Sequence, residues 1–559
     1  MEKNKRNYNV FFNTHTVSGI AISIGIYVCF LAGAYALFLK EINNWQHDLK
    51  AEVSPIKNYE RVLNIVKEEG YQLEGRSISM GRHQLDRGEI SVSSGPLAFD
   101  SLQIKNGTIT KQDSLAHAAI YLLIDPVTYE IKSKERSAKN SDLGTFLYHL
   151  HFFQQIPTVG IFLAGLVSLF LVFSIITGLI IHWKKIVSNF FTFRLKSSIK
   201  NLWTDGHTAL GMIGLPFQLM YGVTGAFLGI VVFAYMPMLL VLDGNTQEIG
   251  QLIYPKEESP NIESKPSNEA VSINGLVEQT VAELELSEIE GIGVNLSNYG
   301  KTNASVNVSI SMDEQRHFTN STSTKYRLSD GAVIKHNPLE KHSYAYYPRL
   351  LMKKIHYATF GGYFMKVVYF LLALATCYVI LSGVMIWLVA REKKTYAHRA
   401  KFNQNVGAIF IGACMGLYPA IALIFCLVKM LPDDFGLASN IFFLFWLAYI
   451  IYSYFIKSTF KINKHALMLA GAFGLLIPVC NGIQSGLWFW KSLGMGYPDS
   501  FLVDVSWLVM SAMTLWAAWK AKPVDKRSGV KSQVEDLVSV SDKEITGEPV
   551  FNLTSTSSK

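Results

Sequence analysis

The sequence predicts an α-helical integral membrane protein with eight transmembrane helices and two small α+β domains on one side of the membrane. Three observations carry this reading. Apolar residues gather into long uncharged runs, basic residues collect in alternate short loops, and two long segments of mixed helical and alternating pattern interrupt the runs.

Half of the 559 residues are hydrophobic and mean hydropathy is +0.22, more apolar than a soluble chain of ordinary composition. Runs free of Asp, Glu, Lys and Arg cover Thr14–Leu39, Phe152–Trp183, Gly206–Leu242, Val367–Ala390, Phe402–Val428, Phe435–Ile456 and His465–Trp490. Each reaches the ~20 residues that a helix needs to cross a bilayer core. An eighth run, Ser500–Trp519, contains one acid, Asp504, whose place near the outer end predicts an interfacial carboxylate.

Loop charge sets the orientation. Lys3, Lys5 and Arg6 precede the first run, and Lys184, Lys185, Arg194, Lys196 and Lys200 follow the second. Arg391, Lys393, Lys394, Arg399 and Lys401 follow the fourth, and Lys457, Lys461 and Lys464 follow the sixth, whereas Leu431–Asp434 is acidic. Both termini are therefore expected in the cytoplasm. These loops hold much of the positive charge behind the net +8, so the lipid bilayer is an expected partner and nucleic acid is not.

The expected order is a cytoplasmic N-terminus (1–14), a first span (15–39), an outer domain (40–150), a second span (151–183) and a basic loop (184–205). A third span (206–236), a second outer domain (237–355), a fourth span (356–390), four further spans within 402–520 and a tail (521–559) follow. The tail's Ser, Thr and charged residues predict disorder. The first span is longer than a signal-peptide core and is read as a retained anchor. In the first outer domain Tyr59, Val62, Leu63 and Val66 recur at helical spacing, and GEISVSS, SLQIKNG and AIYLLIDPVTYEI read as strands. In the second, Ile273, Leu276, Val277, Val281 and Leu284 predict the helix, and GIGVNLS, ASVNVSISM and KYRLSDGAVI the strands. All five cysteines fall inside spanning runs and read as buried apolar filler rather than a disulfide framework.

The chain also contains an internal repeat. HTVSG starts at His15 and HTALG at His207, and 18 positions separate His15 from Gly33 and His207 from Gly225. In the returning helices 27 positions separate His151 from Gly178 and His356 from Gly383, and TGLIIHW matches SGVMIWL around those glycines. Helix, outer domain and helix thus occur twice, with a histidine at the head of each helix. Any one interfacial histidine is as well explained by capping or water. The set is more specific, because the topology places His15 and His207 at one level and His151 and His356 at the other. Ionisable residues at membrane depth point to function. Paired neutral imidazoles facing each other across a bundle suit a six-coordinate haem iron. Zinc fits less well, since no cysteine or carboxylate lies close in sequence. Gly19 and Gly211, one turn beyond their histidines, would admit a flat macrocycle or simply close helix packing. His182, where the second repeat has Trp387, and His149, two residues before His151, are alternative ligands. Arg349, Lys353 and Lys354 are candidate propionate or substrate contacts, or a solvated basic edge. If the second span ran straight, the 32 residues from His151 to Trp183 would extend ~48 Å and lift His151 to the outer headgroups or beyond, unless Pro157 kinks the helix.

Residues from about 10 to 390 resemble the PepSY-associated transmembrane family. The resemblance rests on HTVSGIAI, LHFFQQIPTVG with SIITGLIIHW, TDGHTALGMIG with GVTGAF, and KIHYATFGGYF with VILSGVMIW, while IDPVTYEI is similar to the strand–turn signature of PepSY domains. It implies PepSY-like periplasmic domains and a bacterial inner-membrane location. It also implies two b-type haems with axial ligands at His15, His151, His207 and His356, and a ferric-siderophore reductase activity delivering electrons to ferric chelates in the periplasm. With no nucleotide-binding glycine motif and only short cytoplasmic loops, the electrons are expected from the quinol pool or a separate cytoplasmic donor. The alternatives are an iron, haem or copper transporter component, suggested by the four further spans, and a non-enzymatic module that binds a peptidase or cell-wall partner.

Overall fold

The computed structural model describes residues 2–49, 58–81, 90–97, 111–125, 128–134, 142–183, 199–234, 271–282, 284, 289–312, 319, 321–338, 346–391 and 398–523. The predicted strand SLQIKNG, most of the basic loop 184–205, the start of the second outer domain and the tail beyond 523 lie outside these residues.

Among the described residues, seven helices are long and apolar enough to cross a membrane: α1 (Glu2–Ala36), α6 (Gly160–His182), α11 (Gly362–Ala390), α12 (Ala400–Met430), α13 (Phe435–Ile456), α14 (Thr459–Ser485) and α16 (Pro498–Lys520). The expected third span is a broken pair, α7 (Ile199–Ile213) and α8 (Leu215–Ala234), bent by 69°. Pro216 lies at that bend: it lacks a backbone N–H and its ring clashes with the carbonyl four residues back.

The second and fourth spans also differ from the expectation of single helices starting at His151 and His356. His151 ends a separate short helix, α5 (Leu143–His151), and His356 lies in the last turn of another, α10 (Tyr346–Tyr357). Two residues after each histidine the backbone turns left-handed, at Phe153 (φ 60°) and Ala358 (φ 52°). The chain then re-enters the bundle as α6 and α11. The break therefore comes at equivalent positions in both repeats, and Pro157 follows rather than causes the first. α2 (Leu39–Gln46) lies between α1 and the sheet-bearing side and buries Ile42 and Trp45.

The two outer segments form one sheet. Strands β1 (Ile78–Gly81), β2 (Ile90–Ser94), β3 (Ile120–Ile124) and β4 (Ile131–Ser133) come from the first, and β5 (Ile289–Ser297), β6 (Ser305–Met312), β7 (Ser321–Arg327) and β8 (Val333–Asn337) from the second. Their order is β4-β3-β2-β1-β5-β6-β7-β8, and β1 pairs antiparallel with β5 from Ile78↔Leu296 to Gly81↔Gly293. Each half is a meander whose exposed first strand closes against its counterpart, which removes two unpaired edges. Helices α3 (Tyr59–Glu68) and α9 (Ile273–Val281) belong to the same core as the sheet: Val62, Leu63, Leu276 and Val277 share it with Ile78, Val92, Val294 and Val308. α3 and α9 are tied directly, Tyr59 N–H donating to Asn274 Oδ1 at 2.7 Å. The short helix α4 (Lys111–His117) lies before β3.

The other three appended spans pack around α12, the most deeply buried span among the described residues. Asp504 is not interfacial but fully buried, because α2 and α14 supply its partners. Trp45 Nε1 donates to Asp504 Oδ1 at 2.8 Å, and Asn481 Nδ2 donates to Asp504 Oδ2 at 2.9 Å. Lys429 Nζ pairs with Asp48 Oδ1 at 2.8 Å and lies 4.8 Å from the Trp45 ring centroid. α15 (Phe489–Ser492) is a single turn before α16.

Candidate functional site

The bundle brings the four repeat histidines together in two pairs. On the side opposite the sheet, His15 of α1 and His207 of α7 have ring centroids 6.4 Å apart at 76°. On the sheet side, His151 of α5 and His356 of α10 are 5.9 Å apart at 52°. Neither pair is stacked.

Each ring is held through Nδ1. His15 Nδ1 donates to Ser174 O at 2.8 Å, His207 Nδ1 to Val379 O at 2.9 Å and His151 Nδ1 to Cys29 O at 2.6 Å. His356 Nδ1 instead meets a side chain, Thr224 Oγ1, at 2.8 Å. With Nδ1 carrying the proton, Nε2 is the bare nitrogen of each ring, the tautomer that ligates a metal. Hydroxyls reinforce the first pair: Ser382 Oγ lies 3.1 Å from His207 Nδ1, and Ser18 Oγ meets Ser174 Oγ at 2.9 Å.

The glycines of the repeat make room for these rings. A Cβ on Gly178 would lie 3.1 Å from His15 Cε1, and one on Gly383 3.2 Å from His207 Cε1. On the sheet side a Cβ on Gly33 would approach His151 Nδ1 to 2.6 Å, a separation that real Cβ atoms do not tolerate. Its repeat equivalent, Gly225, faces Ser168 rather than a histidine. The glycine that follows His15 by one turn, Gly19, meets open space, with nothing within 4 Å of a built Cβ, and at Gly211 only Val379 reaches 4.0 Å.

His151 and His356 line a cavity of ≈ 210 Å³ whose other walls include Ile26, Phe30, Leu171 and Leu228. Its polar lip includes Tyr148 and Tyr357, whose hydroxyls are 3.0 Å apart. A metal held between two imidazoles by bonds of ~2 Å separates the ring centroids by about 6 Å. Both pairs have that spacing, and the bare nitrogens, the apolar wall and the open space at Gly19 fit a flat bis-imidazole cofactor. Among the described residues no group of three or more His, Cys, Asp or Glu side chains could hold a metal ion, so a cofactor that brings its own ligands suits the site better.

The other expected contacts fall elsewhere. His182 sits in the last turn of α6, close enough to the first pair to interact electrostatically with both His15 and His207. His149 packs against Phe152 and Tyr148, at centroid distances of 5.7 and 5.8 Å. Arg349 and Lys353 are exposed, with Lys353 Nζ 5.9 Å from the Tyr357 ring centroid, and Lys354 is buried. None of the three lines the cavity, although Lys354 shares the last turn of α10 with His356.

Sequence reasoning missed the acceptors of the four rings. Three are main-chain carbonyls and have no residue signature. Thr224 had one: it stands inside GVTGAF, directly before the repeat glycine.

Apolar spans, a duplicated helix–domain–helix unit and two levels of anchored imidazole pairs define a multi-pass membrane protein. A family model for the PepSY-associated TM region matches residues 12–390, and the chain belongs to that family. The match contains all four paired histidines and leaves α12 to α16 outside it. No curated protein matches the chain.

Proposed function

We propose that the protein is a di-haem electron conduit of the bacterial inner membrane that reduces ferric chelates, such as ferric siderophores, on the periplasmic side. The observation that supports this best is the pair of imidazole pairs, each ring anchored through Nδ1, at two levels of one bundle. His15 with His207 would hold one b-type haem and His151 with His356 the other. When bound, the haems supply one-electron chemistry at a potential tuned by their surroundings.

The chain's own part is to hold, space and shield. Cys29, whose carbonyl anchors His151, is 14 residues from His15 on α1, a rise of about 21 Å. That is less than half the ~48 Å which a straight helix from His151 would impose, because the break after α5 lowers His151 into the bundle. Phe217 and Tyr221, 4.6 Å apart, fill the bundle next to His356, with Tyr221 4.8 Å from its ring. The sheet side is read as periplasmic from the basic loops on the opposite side. There a ferric chelate would take one electron, and hard oxygen ligands release the ferrous ion more readily. The donor is the quinol pool or a separate cytoplasmic protein.

The test is the visible spectrum of detergent-purified protein from haem-sufficient cells. Dithionite-reduced bands of low-spin b-type haem, at two haems per chain, are expected. In proteoliposomes loaded with reductant, ferric chelate outside should yield ferrous ion at a rate that falls when either pair is removed. A colourless preparation overturns the reading.

A further inference from the structure

We infer that Thr224 is a positioning residue that fixes His356 and sets the affinity and potential of the sheet-side centre alone; this rests on the haem reading above. Of the four anchored rings, His356 is the one whose Nδ1 meets a side chain without a carbonyl alongside. The hydroxyl of Thr224 donates its single proton to Met220 O at 2.7 Å, so its oxygen is left to accept from His356 Nδ1 at 2.8 Å. Both residues are buried, Thr224 at 1% and His356 at 7% exposure, so water does not replace the bond if it is lost.

The repeat explains why a side chain is used. LAGAY at 31–35 aligns with VTGAF at 223–227, so Thr224 stands where the first unit has Ala32. The first unit anchors His151 on the carbonyl of Cys29, and the residue equivalent to Cys29 is Tyr221. Tyr221 is occupied differently. Its hydroxyl donates to His356 O at 2.8 Å and its ring packs beside the imidazole. The Thr224 hydroxyl takes the place that a main-chain carbonyl fills in the first unit. α8 therefore grips His356 at two points one turn apart.

A hydrogen bond from Nδ1 orients a ligating imidazole and raises its basicity, which favours the ferric state. Its loss weakens ligand binding, typically 10–100-fold in affinity, and raises the potential. Because the other rings rest on main-chain carbonyls, no other single anchor of this kind is open to substitution without moving backbone.

The experiment compares Thr224→Val, Thr224→Ala and Thr224→Ser in the full chain in detergent, with His15→Ala protein used to assign the sheet-side component. Haem dissociation and a two-component redox titration are read. Thr224→Val and Thr224→Ala should each loosen the sheet-side haem by about 10–100-fold and move its midpoint upward, leaving the other component unchanged, while Thr224→Ser should restore both values. Wild-type protein with two haems and hydroxyl-free variants with unaltered affinity and midpoint would overturn this inference and leave the haem reading standing. Equal shifts in Ser and Val proteins would also overturn it, by marking a packing role. Wild-type protein without haem overturns the reading and the inference together.

Discussion

The two imidazole pairs are made from the same repeat and are not equivalent. Away from the sheet, both histidines ride on bundle helices, both Nδ1 atoms reach carbonyls, and both rings rest on repeat glycines, Gly178 and Gly383. On the sheet side both histidines come from short helices that stop at a left-handed turn. There one ring rests on Gly33 and a carbonyl, and the other on a threonine. The anchoring is matched at the level of His15 and His207, even though α1 is continuous and α7 and α8 are bent by 69°, and it diverges where each half joins its own outer segment. His15 and His207 each reach a carbonyl of the returning helix of their own unit, Ser174 O and Val379 O, whereas at the two chain breaks one ring finds the carbonyl of Cys29 and the other the hydroxyl of Thr224.

The largest effect comes from removing ligands. His151→Ala or His356→Ala should lower haem from two per chain to one and spare the other centre, and His15→Ala or His207→Ala should do the converse. A double replacement within a pair should cost little more than the worse single, and one from each pair should abolish both signals. If His15→Ala and His356→Ala deplete the same haem, the pairing read from the ring contacts is wrong.

The glycines sharpen the comparison. Gly33→Ala puts a Cβ 2.6 Å from His151 Nδ1, on the atom that anchors the ring, and should empty the sheet-side centre to less than about a tenth of wild-type occupancy. Gly178→Ala and Gly383→Ala meet Cε1 at 3.1 and 3.2 Å and ask for shifts of only tenths of an ångström. They should perturb the opposite centre mildly and equally. Unequal effects of these two would break the symmetry claimed for that level. Haem content per chain is the measurement.

Asp504 tests the boundary of the duplicated unit. Asp504→Ala strands the Trp45 indole N–H at about 1–3 kcal/mol, while Asn481 Nδ2 keeps Leu487 O and Ser500 Oγ, so the detergent melting temperature should fall while both haem spectra persist. Loss of a haem band in this variant would show that the appended helices shape a centre directly. The smallest effect is expected at His182 and His149. Replacing either by Ala should leave haem content unchanged, with at most a small midpoint shift of the centre opposite the sheet in His182→Ala, since His182 interacts with His15 and His207, and a lost band in His182→Ala would transfer the ligand role away from His15.

Much of the site was legible because it was written twice. The matched intervals from His15 to Gly33 and from His207 to Gly225 place rings and glycines in one register without any structure. The short helices α5 and α10 were hidden because LHFF and IHYA continue apolar into the spans. The left-handed residues there are Phe153 and Ala358, types that do not advertise a turn as glycine does. Arg349, Lys353 and Lys354 were chosen for nearness in sequence to His356, yet none lines its cavity, and Lys354, two residues away, is carried on the opposite face of the helix.

The amino-acid sequence by itself determined the membrane class, most of the span positions, the duplication and the four histidines. Long uncharged stretches are compelled to cross lipid, and a repeated pattern of residue types survives without knowledge of contacts. Only the tertiary structure decided that both outer segments share one sheet through β1 and β5, that Asp504 is buried under α2, and which carbonyl or hydroxyl holds each ring. Those outcomes depend on open strand edges and main-chain acceptors, which nearly every residue carries alike, so their partners are chosen by packing and not by residue type.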